Sequence, residues 1–144
     1  MDDFEARLRD SFARQPAMAL IGASLARVEE GLVEIAMPFR ADLTQQHGFL
    51  HAGIVSTALD SACGYAAYSL MPPDAAVLTI EFKINLLAPA RGESFLFRGE
   101  VTKPGRTIIV ADGRAYALSD GHAKLIATMT GTMMTVQGRD GLQG

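Results

Sequence analysis

The sequence has one cysteine, no excess of basic residues and no long apolar run, and each shortage excludes a class of protein. Cys63 alone can form neither a disulfide within the chain nor a cysteine-rich metal site. The 13 Lys and Arg against 16 Asp and Glu give a net charge of −3, which disfavours nucleic acid as a partner. No segment approaches the roughly 18 consecutive apolar residues of a membrane span, and the charged N-terminus lacks the apolar stretch of a signal peptide. We therefore expect a cytoplasmic protein without a membrane span.

The apolar content is nonetheless sufficient for one hydrophobic core. Of the 144 residues, 49% are hydrophobic and 20% are charged, which is typical of a single folded domain. We predict that this domain covers residues 1–137. The glycine-rich segment that follows, 138–144, is predicted to be a flexible C-terminal tail.

The spacing of apolar residues predicts a helix, two strands, a long helix and then four strands. Phe4, Leu8 and Phe12 recur every four residues and define one face of the first helix, which Asp2 or Asp3 can cap. The predicted bounds are 3–14 for this helix, ending before Pro16; 24–28 and 32–39 for two strands; 52–70 for the long helix; and 77–87, 93–102, 107–118 and 122–136 for the last four strands.

The last four strands predict an antiparallel sheet. Their connections are short and rich in Pro and Gly, so we expect strands that follow one another in sequence to pair with each other. In the first of these strands, Ile80, Phe82 and Ile84 alternate strictly with polar residues, which include Thr79 and Glu81. Helices on one face of such a sheet make an α+β fold.

The long helix has an apolar face in which alanine is the commonest residue, and small side chains allow a helix to approach a sheet closely. The members of this face are Val55, Ala58, Leu59, Ala62, Cys63, Ala66 and Leu70. Asp60 lies just outside the face and is the only charged residue between Ala52 and Leu70. On this pattern alone, Asp60 either faces water, bonds a nearby backbone group, or acts as a nucleophile or general base in a crevice.

The segment before this helix offers a second chemical group. The first turn of a helix has unpaired N–H groups and a positive partial charge, which can hold a carbonyl oxygen while negative charge builds on it. Ala52 and Gly53 have little side chain to obstruct that approach. Asp60 lies about 12 Å further along the helix axis. A second chain, or a substrate that crosses the helix, must therefore bring the two groups together.

These residues carry a resemblance to a known family. His51-Ala52-Gly53, with Asp60 nine positions after the histidine and Gln45 six before it, resembles the motif of hot-dog thioesterases of the phenylacetate-pathway (PaaI) type. In that family the motif is His-Gly-Gly, with an acidic residue and an Asn or Gln at the same two spacings. Ala52 replaces the first glycine but keeps the backbone N–H that the family uses. The resemblance covers most of the chain.

The resemblance implies a hot-dog fold, in which an antiparallel sheet wraps around one long central helix, here with an extra N-terminal helix. It also implies hydrolysis of acyl-coenzyme A, with Asp60 attacking the carbonyl or activating a water, the Ala52 N–H polarising the carbonyl and Gln45 positioning the carbonyl or the water. Members of the family form homodimers, or homotetramers that are dimers of dimers, and share each site between two chains. The other implied site residues are Thr79, which helps to hold the surroundings of Asp60 across the dimer interface, His51, which bonds backbone at the turn, and Gly53 in the motif.

Three basic residues are candidates for holding coenzyme A. Lys103, Arg106 and Arg114 flank or follow a Pro-Gly turn, where they are either ordinary surface charge or a dock for phosphates; related proteins use basic residues around that turn. Coenzyme A is part of the substrate, so no separate cofactor is expected. His47 and His51 are four apart, but Gly48 and the predicted loop argue against a metal site.

The sequence thus predicts an acyl-coenzyme A thioesterase for a small, medium-chain or aryl-acyl group. Two alternatives stay open at this point. The first is a non-catalytic acyl-coenzyme A binder or sensor on the same scaffold, which the replacement of the family's glycine by Ala52 keeps open. The second is a hydratase or dehydratase, which needs a histidine paired with the acid, whereas His51 is assigned to the turn.

Overall fold

The computed structural model describes residues 3–144, so the capping role predicted for Asp2 lies outside the described residues. The helices are α1 (Phe4–Ala13), α2 (Pro16–Ile21) and α3 (Ala52–Tyr68), and a short 3-10 helix covers Ala41–Leu43. The strands are β1 (Ser24–Glu29), β2 (Leu32–Pro38), β3 (Ala76–Leu86), β4 (Ser94–Pro104), β5 (Ile108–Ser119) and β6 (His122–Val136). None of the helices in this part of the chain is long and apolar enough to cross a membrane.

The N-terminal region contains one helix more than predicted. The Asp3 side chain caps α1 by accepting a hydrogen bond from the backbone N–H of Ala6 at 3.1 Å, and α1 ends before Pro16 as expected. Pro16 then begins α2. Proline is tolerated there because the backbone N–H that it lacks would have no partner in the first turn of a helix. Gly22, with a φ of 73°, ends α2 and turns the chain into β1.

The six strands form one antiparallel sheet in the order β1-β2-β4-β5-β6-β3. The prediction that all successive strands pair is therefore wrong for β3 and β4: β3 is an edge strand that pairs only with β6. The connection between them does not form a hairpin, because it packs on the loop before α3, where the Leu50 N–H donates to the Ala90 carbonyl at 3.1 Å.

Helix α3 lies against the concave face of this sheet at very short range. A Cβ added to Gly99 on β4 would stand 2.3 Å from the carbonyl oxygen of Ala62, so only glycine permits this approach. The predicted apolar face of α3 is buried. Leu70 is the exception at 39% exposure, because the helix ends at Tyr68, before the predicted boundary. The α+β hot-dog arrangement, a sheet around one alanine-rich helix, is confirmed.

We expect Gly99→Ala to lower the free energy of unfolding by about 3 kcal/mol, because the added methyl group meets backbone that cannot rotate away. Urea denaturation measures this loss. Gly113→Ala is the matched control, since its methyl group would meet the Leu59 side chain and Cys63 Sγ, which can adjust; we expect a smaller loss. Equal unfolding midpoints for the two variants would contradict the close backbone contact.

Candidate active site

Asp60 is half-buried on α3, and its Oδ1 accepts a hydrogen bond from Thr79 Oγ1 at 2.9 Å. Burial raises the pKa of Asp60 above its ordinary value, and the Thr79 hydrogen bond opposes that rise because it favours the ionised form. A carboxylate with a raised pKa is a stronger base or nucleophile once it is ionised. The geometry therefore suits Asp60 to chemistry at a carbonyl.

Thr79 reaches Asp60 because β3 contains a bulge. The pairing with β6 shifts between Thr79, which lies opposite Met133, and Glu81, which lies opposite Thr132, so Ile80 is an extra residue. The bulge places Thr79 on the side of the sheet that faces α3, the side that Phe82 also occupies. The predicted strict alternation is therefore wrong at Thr79. The bond to Asp60 forms within one chain. The implied contribution of Thr79 across a dimer interface stays a prediction.

Asp60 lines a cavity of about 300 Å³ between α3, the start of β3 and the end of α1. Its polar wall is a connected network around the Tyr65 hydroxyl, which accepts from Gln15 Nε2 at 3.1 Å and lies 3.2 Å from Ser11 Oγ. Ser61 Oγ in turn donates to Gln15 Oε1 at 3.4 Å. These residues were not predicted from the sequence. The available signal was the placement of Ser61 and Tyr65 one turn apart, directly after Asp60.

The start of α3 presents a free backbone donor. His51 is the N-cap residue, and its Nδ1 accepts from the Gly53 N–H at 2.8 Å, which confirms that His51 bonds backbone at the turn. That bond occupies the Gly53 N–H. A Cβ at Gly53 would stand 3.0 Å from His51 Nδ1, so Gly53 makes room for the cap. Among residues 3–144, no partner accepts from the Ala52 N–H.

Gln45 lines the same cavity as Ala52 and is held by its own loop. Its Oε1 accepts from the backbone N–H groups of His47 at 2.6 Å and Phe49 at 3.3 Å. Gly48 completes the turn with a φ of 86°, a conformation that side chains disfavour. Because the carbonyl end of the Gln45 amide is occupied by the loop, the NH₂ end is the part available to a ligand.

Gln45 and Ala52 line a second cavity, of about 440 Å³, which the end of β3 also lines through Leu86 and Leu87. Asp60 and Thr79 belong to the first cavity and not to this one. One chain therefore brings the predicted site residues together in two groups, a carboxylate group and a donor group. The separation of about two helical turns is the one expected from the sequence.

The three basic residues predicted to hold coenzyme A do not form one cluster. Lys103 and Arg106 are exposed near the turn between β4 and β5. Arg114 lies on β5, roughly 13 Å along the strand from the level of Lys103. It is on the face of the sheet turned away from α3. There it lines a small cavity with a second arginine, Arg98, and with Glu100 and Asp112, so the two carboxylates balance the two guanidinium groups and the cavity offers a phosphate no net positive charge. The binding role of all three stays a prediction.

Cys63 is buried in the apolar face of α3 against the sheet. Burial raises the pKa of the Cys63 thiol to about 12. A thiol with such a pKa is not a nucleophile at neutral pH. Cys63 therefore contributes to the packing of α3 on the sheet and not to nucleophilic catalysis.

The fold and the motif together define a thioester hydrolase. The chain belongs to the thioesterase superfamily, whose family profile matches residues 47–124. A candidate esterase of Saccharolobus solfataricus is 35% identical over 112 residues, which are 78% of this chain and 72% of that protein. The resemblance inferred from the motif is confirmed for the superfamily and the fold.

Two solved structures are also similar to this chain over most of its length. A thioesterase family protein from Silicibacter pomeroyi is 61% identical and superposes with a TM-score of 0.92, covering 94% of this chain and 99% of that one. The Escherichia coli PaaI protein of the phenylacetic acid degradation operon superposes with a TM-score of 0.84 over 94% of each chain at 18% identity, which shows that the fold is shared.

Proposed function

We propose that this thioesterase hydrolyses acyl-coenzyme A to a free acid and coenzyme A at sites shared between two copies of the chain. The observation that carries the proposal is the placement of the two cavities at opposite ends of β3. The start of β3, residues 76–79, lines the cavity of Asp60, and its end lines the cavity of Gln45 and Ala52.

The free edge of β3 supports pairing with a second copy. One side of β3 has no partner strand within residues 3–144, and five large apolar residues on or directly after it are between 42% and 55% exposed: Leu78, Ile80, Phe82, Leu86 and Leu87. An unpaired apolar edge strand is a template for another strand. Antiparallel pairing of two β3 strands satisfies both edges under a two-fold axis.

Such pairing solves the distance problem posed by a single chain. In an antiparallel pair, the start of one β3 lies beside the end of the other. The Asp60 cavity of one copy then faces the Ala52 and Gln45 cavity of the other copy. Each homodimer holds two such composite sites, related by symmetry.

The chemistry follows from the groups at each site. The Ala52 N–H and the Gln45 amide NH₂ hold the thioester carbonyl oxygen, on which negative charge builds. Asp60 either attacks the carbonyl carbon itself or takes a proton from a water that attacks it. If Asp60 attacks, the C–S bond breaks and leaves a mixed anhydride on Asp60, which a water then hydrolyses to the free acid and the Asp60 carboxylate. If water attacks, the C–S bond breaks and the free acid forms directly. In both routes the coenzyme A thiolate leaves and takes up a proton. The proposed reaction needs water and no cofactor.

A thiol-release assay tests this function directly. Wild-type protein is incubated with a panel of small, medium-chain and aryl-acyl coenzyme A thioesters, and free coenzyme A is measured. We expect release from at least one of these classes. Tight acyl-coenzyme A binding without thiol release would instead favour the non-catalytic binder, the one alternative that uses the same site.

We expect Thr79→Val to move the acidic limb of the kcat/KM profile to higher pH. The hydrogen bond from Thr79 lowers the pKa of Asp60, so its loss leaves burial unopposed and raises that pKa further. Asp60 must be ionised to act, so activity is lost at a higher pH than in the wild type. Thr79→Ser, which keeps the hydroxyl, is the control and should retain the wild-type profile. If the pH profiles of Thr79→Val and Thr79→Ser superimposed, this role of Thr79 would be contradicted.

A further inference from the structure

Gly64 occupies an unusual position in the middle of α3. It lies one turn after Asp60, is buried, and lines the same cavity. No atom of the described residues outside its own helix turn lies within 4 Å of the place where its Cβ would stand. Glycine is the poorest helix former after proline. An alanine would therefore fit the backbone better, and what the glycine provides is empty space beside Asp60.

The surroundings of Gly64 differ from those of Gly99 and Gly113, two glycines that lie where the sheet contacts α3. At Gly99 and Gly113 an added Cβ would meet atoms at 2.3 and 2.9 Å, so those glycines permit packing. At Gly64 nothing packs into the space that the glycine leaves. The empty volume continues the cavity from the carboxylate toward Tyr65.

The far end of the cavity is held in place. Tyr65 is 6% exposed, and its hydroxyl is fixed by Gln15 and Ser11 from the segment that ends α1. Leu142 and the two residues after it line the same cavity. The wall formed by Tyr65 is tied by hydrogen bonds and does not retreat when a ligand lengthens, so on that side the room beside Gly64 limits the length of the ligand that the cavity accepts.

From these observations we propose that Gly64 is a specificity-determining residue that sets the length of the acyl group. This inference rests on the proposed function. The acyl chain passes from the carbonyl at Asp60 over Gly64 toward Tyr65. Gly64 lies about 6 Å along the helix axis from Asp60. A side chain at position 64 therefore blocks longer acyl groups and leaves the shortest ones untouched.

The test uses Gly64→Ala and Gly64→Val with straight-chain acyl-coenzyme A thioesters from acetyl to decanoyl. For the shortest thioester that the wild type hydrolyses, we expect kcat/KM to stay within about twofold in both variants. For the longest accepted thioester, we expect a fall of about 10-fold or more in Gly64→Ala and a larger fall in Gly64→Val, because a lost methylene-sized space in a pocket discriminates by such factors. The melting temperature of Gly64→Ala should rise by about 2–4 °C.

Leu142→Ala provides the opposite change at the other wall. Removal of this half-buried side chain enlarges the cavity, so kcat/KM for the longest thioesters should rise relative to the shortest. Inhibition by non-hydrolysable S-alkyl coenzyme A thioethers of increasing length should show the same order without a catalytic step. If Gly64→Val fails to fold, the comparison of Gly64→Ala with Leu142→Ala decides.

The outcomes separate this inference from the function on which it rests. An unchanged length profile in a folded Gly64→Ala variant, or an equal loss for all lengths, overturns the role of Gly64 and leaves the thioesterase proposal intact. A wild-type protein that hydrolyses no thioester of the panel overturns the proposed function. In that case an unaltered order of thioether binding in Gly64→Ala overturns the role of Gly64 as well.

Discussion

Asp60→Asn should reduce acyl-coenzyme A turnover by about a thousandfold or more, because it removes the proposed nucleophile or general base while it keeps the shape of the side chain. Asn can still accept the hydrogen bond from Thr79, so the geometry of α3 and β3 should persist. A thiol-release assay at saturating substrate measures the loss. A variant that retains near-normal hydrolysis would remove Asp60 from the mechanism.

The same substitution should make the protein more stable at neutral pH. The pKa of Asp60 is raised in the fold, so the folded state holds the proton more tightly than the unfolded chain does. Above the folded pKa, the ionised carboxylate therefore costs stability, and this cost disappears as the pH falls toward the ordinary value of 3.8. We expect the melting temperature of Asp60→Asn to exceed that of the wild type at pH 7, and the difference to shrink as the pH is lowered.

Asp112→Asn is the matched control for both measurements. Asp112 also accepts hydrogen bonds from threonine hydroxyls, those of Thr102 and Thr130. It lies on the face of the sheet turned away from α3, outside the two proposed half-sites. Its replacement should leave turnover close to the wild-type value. A similar loss in both variants would indicate a general effect of charge on the fold.

A mixture of two inactive variants should regain about a quarter of wild-type activity if each site is shared between two chains. Asp60→Asn lacks the carboxylate, and Ala52→Pro lacks the backbone donor. Random assortment of equal amounts makes half of the dimers mixed, and each mixed dimer has one complete site out of two, which gives about a quarter of all sites. The measurement is thiol release after the two variants are unfolded and refolded together.

Ala52→Pro suits this experiment because the helix start tolerates proline. Ala52 is the first residue of α3, where a proline removes only an N–H that has no helical partner. The preceding His51 has a φ of −59° and a ψ of 138°, the extended conformation that a residue before proline adopts. The variant should therefore fold and lose the donor alone.

Two results would contradict the shared site. Full activity of Ala52→Pro by itself would show that its N–H does not hold the carbonyl. An inactive mixture, with mixed dimers demonstrated by mass spectrometry, would show that both groups must come from the same chain. Recovery of activity is expected only when the carboxylate and the donor meet across the dimer interface.

Local patterns explain why much of the site could be predicted. The start of α3, the N-cap role of His51 and the position of Asp60 two turns later all depend on residues within 16 positions of Gln45. Helix geometry converts such spacing into distance. The alanine-rich face of α3 likewise predicted a close approach to the sheet, which the contact between Gly99 and Ala62 confirms.

The features that were not predicted depend on pairing between distant segments. The position of β3 at the sheet edge is set by β6, about 50 residues further along the chain. The bulge at Ile80 is a property of that pairing, because it compensates a mismatch in register with β6, and the alternation within β3 alone does not show it. The hydrogen bonds of Tyr65 to Ser11 and Gln15 likewise join α3 to a segment about 50 residues earlier.

The position of β3 has a consequence for how such a protein can change. In the proposed dimer, one strand edge serves both as the surface that joins the two copies and as a wall of both half-sites. A substitution along this edge acts twice in every dimer, once at each end of the shared interface. Assembly and substrate choice therefore cannot be adjusted independently there, whereas Gly64 and Leu142 lie outside β3 and leave room for a change of substrate without a change in the pairing strand.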